Sequence, residues 1–393
     1  MRRRVLGAAA TVLLLAAGCS SAEDLPENLR DRAAEPHSGH VDPAAVSPEP
    51  TATDVPLRPG ERFVELRLPV EYTPSAPSGA GTDDYRCFLV DPGFDVDELV
   101  SGVDIRPDNA DLVHHVIVSS VLPRDVEVAQ RLDADAPGPG WSCFGGSGVR
   151  SAGTDLDNAD WVGAWAPGGG ERVMAEDIGI PLEAGSRLVV QMHYNLLGGT
   201  GSDRSTVRLR VSDAADGDRT PLATMLLPAP VELPCRSGRS AGPCARGVAV
   251  ADVKERFGEE VATADLLHAL CGPVDPGPVQ SCTRTVRRGG TVRAVAGHMH
   301  LLGREITVDL AKGTPQAQRL LEVASWDFDD QGSIPLDEPV RVEPGDELTV
   351  TCRHDQSLRD RLPAFDGRPD RYVVWGDGTT DEMCLGIVLL TRD

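Results

Sequence analysis

The chain has 393 residues with 38 Lys and Arg against 61 Asp and Glu, a formal net charge of −23. Such an acidic surface, with no basic cluster after the first few residues, argues against a nucleic-acid partner or an anionic membrane surface. The length beyond the N-terminal region suits two domains of ordinary size.

Arg2, Arg3 and Arg4 precede an apolar run from Val5 to Ala17, a positive stretch followed by a hydrophobic one too short to span a bilayer as a mature helix. It reads as a signal peptide over residues 1–18. The run ends in Leu15-Ala16-Ala17-Gly18-Cys19-Ser20-Ser21, which resembles the lipobox of bacterial lipoproteins, with Ala16 where leucine is preferred. The expectation is lipidation of Cys19 and anchoring to the outer face of the bacterial cell membrane, with the body of the protein secreted. No later stretch is apolar enough to cross a bilayer. Without the three leader arginines the balance of −23 falls to −26.

Residues 19–60 are rich in Pro, Ala and acids and nearly free of aromatic side chains, so they cannot bury enough surface to offset chain entropy and read as a disordered tether. His37 and His40 lie there as solvated histidines. Beyond the tether the pattern is mostly strands. Arg62 to Leu68, Arg187 to Met192, Thr206 to Val211 and Arg304 to Leu310 are strand-like, most with apolar and polar residues alternating. Turns rich in Gly, Pro and Asp separate them, as at Asp213 to Asp218 and Glu343-Pro344-Gly345-Asp346. Val250 to Ala269 is the one helical candidate. The fold predicted is all-β, with two antiparallel sandwiches over residues 61–215 and 216–393 and a short helical insertion in the second.

Apart from Cys19 there are eight cysteines, an even number in an exported chain, which points to disulfides rather than thiolate metal sites. Cys235 with Cys244 and Cys271 with Cys282 are close in sequence. Cys352 with Cys384 would bracket the terminal hairpin, leaving Cys87 for Cys143. Sequence alone leaves the connectivity open among on the order of a hundred pairings.

Six side chains form an ordered set of soft or borderline metal ligands: His114, His115, His193, His298, His300 and Met383. Imidazole binds copper in either oxidation state and a thioether favours Cu(I). In a strand, His298 and His300 would project from one face. His114 and His115 would point to opposite faces, so a shared metal there requires a bulge or a strand-end twist. A zinc hydrolase is disfavoured because no His-Glu-x-x-His spacing occurs. His268 and His354 read as surface or locally hydrogen-bonded residues.

Between Tyr85 and Leu390 the chain resembles the copper type II, ascorbate-dependent monooxygenases typified by peptidylglycine alpha-hydroxylating monooxygenase and dopamine beta-monooxygenase. The likeness rests on Asp111-Leu112-Val113-His114-His115-Val116-Ile117, Ala164-Trp165-Ala166-Pro167-Gly168, Val190-Gln191-Met192-His193-Tyr194, Gly297-His298-Met299-His300-Leu301-Leu302-Gly303 and Thr380-Asp381-Glu382-Met383-Cys384. The resemblance implies two sandwiches facing each other across a cleft. It implies that His114, His115 and His193 hold an electron-transfer copper, and that His298, His300 and Met383 hold a distant, dioxygen-binding one. A Cys352–Cys384 bridge also matches the family. The implied activity is hydroxylation of a C–H bond of a small organic substrate by O2, with ascorbate or another one-electron reductant. The carboxylate-anchoring Arg and Tyr of peptide-amidating relatives are replaced by Ala296 and Ile387, which speaks against a peptidylglycine substrate; Arg293, Arg304, Asp381 and Glu382 read as solvated or structural. The alternative is a non-catalytic copper-binding or storage lipoprotein using the same ligands.

Overall fold

The computed structural model describes residues 55–76, 81–149, 155–216, 219–258 and 261–392. The expected signal peptide, Cys19, His37, His40 and nearly all of the tether lie outside the described residues. Among the described residues twenty strands carry the fold. The first ten are β1 (Arg62–Arg67), β2 (Asp83–Val90), β3 (Glu98–Arg106), β4 (Val113–Val121), β5 (Trp141–Ser142), β6 (Trp161–Trp165), β7 (Arg172–Val173), β8 (Ile178–Leu182), β9 (Arg187–Asn195) and β10 (Thr206–Asp213). The second ten are β11 (Thr220–Pro228), β12 (Glu232–Leu233), β13 (Val279–Thr285), β14 (Gly290–His298), β15 (Gly303–Leu310), β16 (Gln318–Val323), β17 (Ile334–Val342), β18 (Glu347–His354), β19 (Val373–Val374) and β20 (Leu385–Arg392). The alternating segments read from the sequence coincide with β1, β9, β10 and β15, and the architecture is all-β sandwich as expected.

A nine-stranded sheet runs β1-β10-β3-β8-β11-β20-β14-β17, with β7 beside β3. A five-stranded sheet, β5-β2-β9-β4-β6, packs on its first part, and a four-stranded sheet, β13-β18-β15-β16, on its second. Leu66, Val103 and Leu209 from the large sheet meet Phe88, Val116, Val190 and Met192 in the first core. Leu227, Val295 and Val388 meet Ile306, Val308 and Val350 in the second. The large sheet is continuous through a short parallel pairing, Thr220 with Ile178 and Pro221 with Gly179. The loop at Asp213 to Thr220 lies between β10 and β11.

The expected single helix over Val250 to Ala269 is two: α2 (Arg246–Phe257) and α3 (Thr263–Cys271), preceded in the first half by α1 (Val126–Asp135), which was not expected. Helix α2 stops because Gly258 adopts the left-handed conformation, φ 68°, and caps Lys254. The α1 sequence escapes a sandwich reading because only Ala129 in it is buried. It covers the outer face of the five-stranded sheet, where Cys87, Trp141, Cys143 and Val189 form a third, smaller cluster.

All four disulfides suggested by the sequence are present: Cys87–Cys143, Cys235–Cys244, Cys271–Cys282 and Cys352–Cys384. Cys352 and Cys384 are 32 residues apart and both fully buried, so the bridge pins the start of β20 to β18. Replacing both cysteines by alanine is expected to lower unfolding stability by about 3–4 kcal/mol, the chain-entropy figure for a loop of that size. Urea denaturation followed by fluorescence measures it, with Cys271→Ala/Cys282→Ala, which closes a much shorter loop, losing less.

Candidate functional site

Strand parity builds the first ligand set. On β9, Leu188, Val190, Met192 and Tyr194 point into the first core, so Gln191 and His193 face the other way. On β4 the core residues Val113 and Val116 are separated by two residues rather than one. The ladder to β9 slips between Val113 and His115, which pairs with His193; of the two expected devices it is the bulge that turns both His114 and His115 outward. On β2, Asp83, Tyr85 and Cys87 share that outer face, and Tyr85 pairs directly with His193.

The three histidines converge through their Nδ1 atoms. His114–His193 and His114–His115 are each 3.3 Å apart and His115–His193 is 3.2 Å. An equilateral triangle of 3.3 Å side has its centre 3.3/√3, about 1.9 Å, from each corner, close to the ~2.0 Å of a metal–imidazole bond. One proton cannot satisfy three converging lone pairs, whereas one cation can. His193 Nε2 donates to Asp83 Oδ1 at 2.9 Å, fixing the tautomer that frees Nδ1. Tyr85 stacks on His193 at 4.0 Å and Phe328 on His114 at 4.0 Å. Burial holds the His114 and His115 rings well below the usual histidine value, so they are neutral and ready to bind at pH 7.

The second set forms differently from the sequence expectation. His298 is the last residue of β14 and His300 lies beyond it in a turn, so strand alternation does not align them. A buried carboxylate does: Glu382 accepts from the backbone N–H of His300 at 3.1 Å and of Leu302 at 2.5 Å. Met383 follows Glu382 and precedes the bridged Cys384, which fixes its backbone against the His298–His300 turn. The two rings lie 5.2 Å apart. His298 Nδ1 is hydrogen-bonded to Gln331 at 2.6 Å, while neither nitrogen of the fully buried His300 makes a well-formed hydrogen bond. Unpartnered buried imidazole nitrogens are costly and signal a missing ligand. Burial first, offset by Gln331, lowers His298 to about 4, and burial pushes His300 well below its usual value.

The two sets are not distant. His115 and His298 meet edge to face at 5.5 Å, and Phe328 and Gln331, on the loop after β16, reach across both. Asp381 is not solvated: it is buried between Arg256, at 2.8 Å through both oxygens, and Arg371, and these cations offset the burial cost and hold it at about 2. Glu382 is likewise structural. Arg293 and Arg304 pair with Asp177 and Asp355. His354 is buried rather than at the surface, 3.3 Å from the Met383 carbonyl, and His268 bonds Glu232 at 2.7 Å. Ala296 and Ile387 are cross-strand partners on β14 and β20, on the face that carries His298. Sequence reading missed Asp83, Tyr85, Phe328 and Gln331. The Asp-x-Tyr spacing on a strand was the one available signal for the first two, and nothing local marks the others.

Residues 279–390 match the family model of the copper type II ascorbate-dependent monooxygenase C-terminal domain; His298, His300 and Met383 fall within it. The "DBH-like monooxygenase protein 2" of Mus musculus is 24% identical over 290 residues, 70% of this chain and 38% of that protein. The "Putative DBH-like monooxygenase protein 2" of Homo sapiens is 35% identical over 88 residues, 22% of this chain and 16% of that protein. The chain thus spans well under half the length of these curated relatives. The major capsid protein P2 of bacteriophage PM2 aligns over 84% of this chain and 97% of its own at 10% identity with a TM-score of 0.29, a level that carries no argument. The family match and these distant relatives support the copper type II monooxygenase family for this chain.

The lowered histidines set a pH dependence. The unfolded chain takes up protons near 6.5, whereas folded His298 does so only near 4, so protons favour the unfolded state in between. Metal-free protein is expected to lose stability progressively as pH falls from 6.5 towards 4. Urea midpoints measured across that range check this, and His298→Phe is expected to flatten the slope.

Proposed function

We propose that the chain is a copper-dependent monooxygenase that hydroxylates a C–H bond of a small organic substrate, using O2 and ascorbate or another one-electron reductant. The observation that carries the reading is the pair of complementary ligand sets: a triangle of three Nδ1 atoms, and beside it His298 and His300, the latter tied through its backbone amide to Glu382, the residue preceding Met383. The residues fit copper. Neutral imidazoles suit both of its oxidation states, Met383 adds a thioether that favours Cu(I), and no cysteine thiolate is free among the described residues to compete. Copper bound at the two sets supplies dioxygen activation and one-electron transfer.

The protein's own part is to hold and orient. Asp83 keeps the Nδ1 of His193 unprotonated by taking its Nε2–H, and Gln331 fixes the His298 ring through Nδ1, leaving Nε2 for a ligand. The contact of His115 with His298 makes the route between the sets short. Ala296 and Ile387 present an apolar surface on the His298 face, and Arg293, further along β14, is paired with Asp177. An uncharged substrate carbon is therefore the favoured target. The apolar leader, the Cys19 context and four disulfides support export and a lipid anchor on the outer face of the cell membrane; among the described residues no helix is long and apolar enough to cross a membrane.

Met383→Ala is expected to abolish ascorbate-dependent hydroxylation, a loss of at least about a hundredfold, with far-UV circular dichroism unchanged. Product formation across a panel of uncharged substrates is the assay. Turnover undiminished in the variant contradicts the role given to Met383, and a copper-loaded parent that turns over none of the panel favours the storage alternative.

A further inference from the structure

The segment from Asp377 to Met383 belongs to the C-terminal half, yet it touches both ligand sets. At one end the Asp377 carbonyl accepts the Tyr85 hydroxyl at 3.0 Å, and Tyr85 lies flat on His193. At the other end Glu382 accepts the backbone amide of His300, a residue of the second set, and Met383 follows it directly. Between them, Thr379 donates its hydroxyl to Asp83 Oδ1 at 2.5 Å, and the same oxygen accepts His193 Nε2–H at 2.9 Å. Thr379 and His193 are completely buried and Asp83 is 2% exposed, so the arrangement is shielded from bulk solvent. Asp381, clamped by Arg256 of α2 and by Arg371, holds the segment in place.

A carboxylate oxygen shared by two donors gives less of its charge to each. A carboxylate behind a metal-binding histidine sets how strongly that imidazole donates. We propose that Thr379 is a positioning residue for the three-histidine centre: it moderates Asp83, and through it the donor strength of His193, so that the redox preference of one centre depends on the segment carrying Met383 of the other. The inference rests on the copper reading above. The simpler role, a buried hydroxyl satisfying a buried carboxylate, predicts a change in stability but none in redox preference.

Thr379→Val keeps the shape and removes the donation, leaving Asp83 to act fully on His193. A more electron-rich His193 favours Cu(II). The test titrates the full chain in a His298→Ala/His300→Ala background, where copper binds at the three histidines alone, against competing Cu(I) and Cu(II) chelators. The ratio of Cu(II) to Cu(I) affinity is expected to rise about tenfold in Thr379→Val, a fall of about 59 mV in the one-electron potential. Thr379→Ser, which keeps the hydroxyl, is expected to match the parent, and Asp83→Asn to shift the ratio the other way. An unchanged ratio in Thr379→Val, with copper still held by three nitrogens, overturns the proposal and leaves the copper reading standing, as does an equal shift in Thr379→Ser. A parent that holds no copper at these histidines overturns both.

Discussion

The hydrogen bonds from the His300 and Leu302 amides to the buried Glu382 carboxylate are the constraint on which the site depends. They join the turn after β14 to the start of β20, two pieces of chain separated by about eighty residues, and they bring the residue preceding Met383 to the His300 turn. Burying a carboxylate carries a cost of several kcal/mol unless its oxygens are satisfied. Here backbone amides satisfy them, and these cannot rotate away as side chains can. The Cys352–Cys384 bridge restrains the same corner covalently from β18, in the four-stranded sheet packed against it.

Two further buried acids extend the pattern. Asp381 is stabilised by two arginines to the extent that it stays ionised down to about 2, so its contribution is present throughout neutral pH and is lost only under strongly acidic conditions. Asp83 holds His193 and is itself held by Thr379. The acidic composition of the chain therefore has an interior counterpart: a few carboxylates, each with specific donors, organise histidines that burial keeps neutral. Neutral imidazoles bind a cation without first releasing protons, which is the condition a copper centre needs at physiological pH.

Much of this was legible in the sequence, for physical reasons. The alternation of β1, β10 and β15 is a direct readout of half-burial, and the adjacent histidines at 114 and 115 called for a bulge or a strand-end twist because the side-chain period of a strand is two. The bulge is visible afterwards in the spacing of Val113 and Val116. The His298–His300 expectation rested on strand alternation, whereas β14 ends at His298 and a carboxylate far along the chain holds the His300 turn. Phe328 and Gln331 were illegible because a loop's reach depends on tertiary packing, with no periodicity to betray it. The split of the helical segment was foreseeable from Gly258, whose left-handed conformation ends α2. The closeness of the two ligand sets could not be read at all, since strand patterns say which face a residue takes but not how two sandwiches meet.

The central claim is that the six residues form two copper centres and not one or none. Elemental analysis of copper-reconstituted chain starting after Cys19 tests it most directly, together with His193→Ala. The account predicts two coppers per chain in the parent and one retained by the variant at the methionine-bearing set. A single copper in the parent, or none, would contradict it.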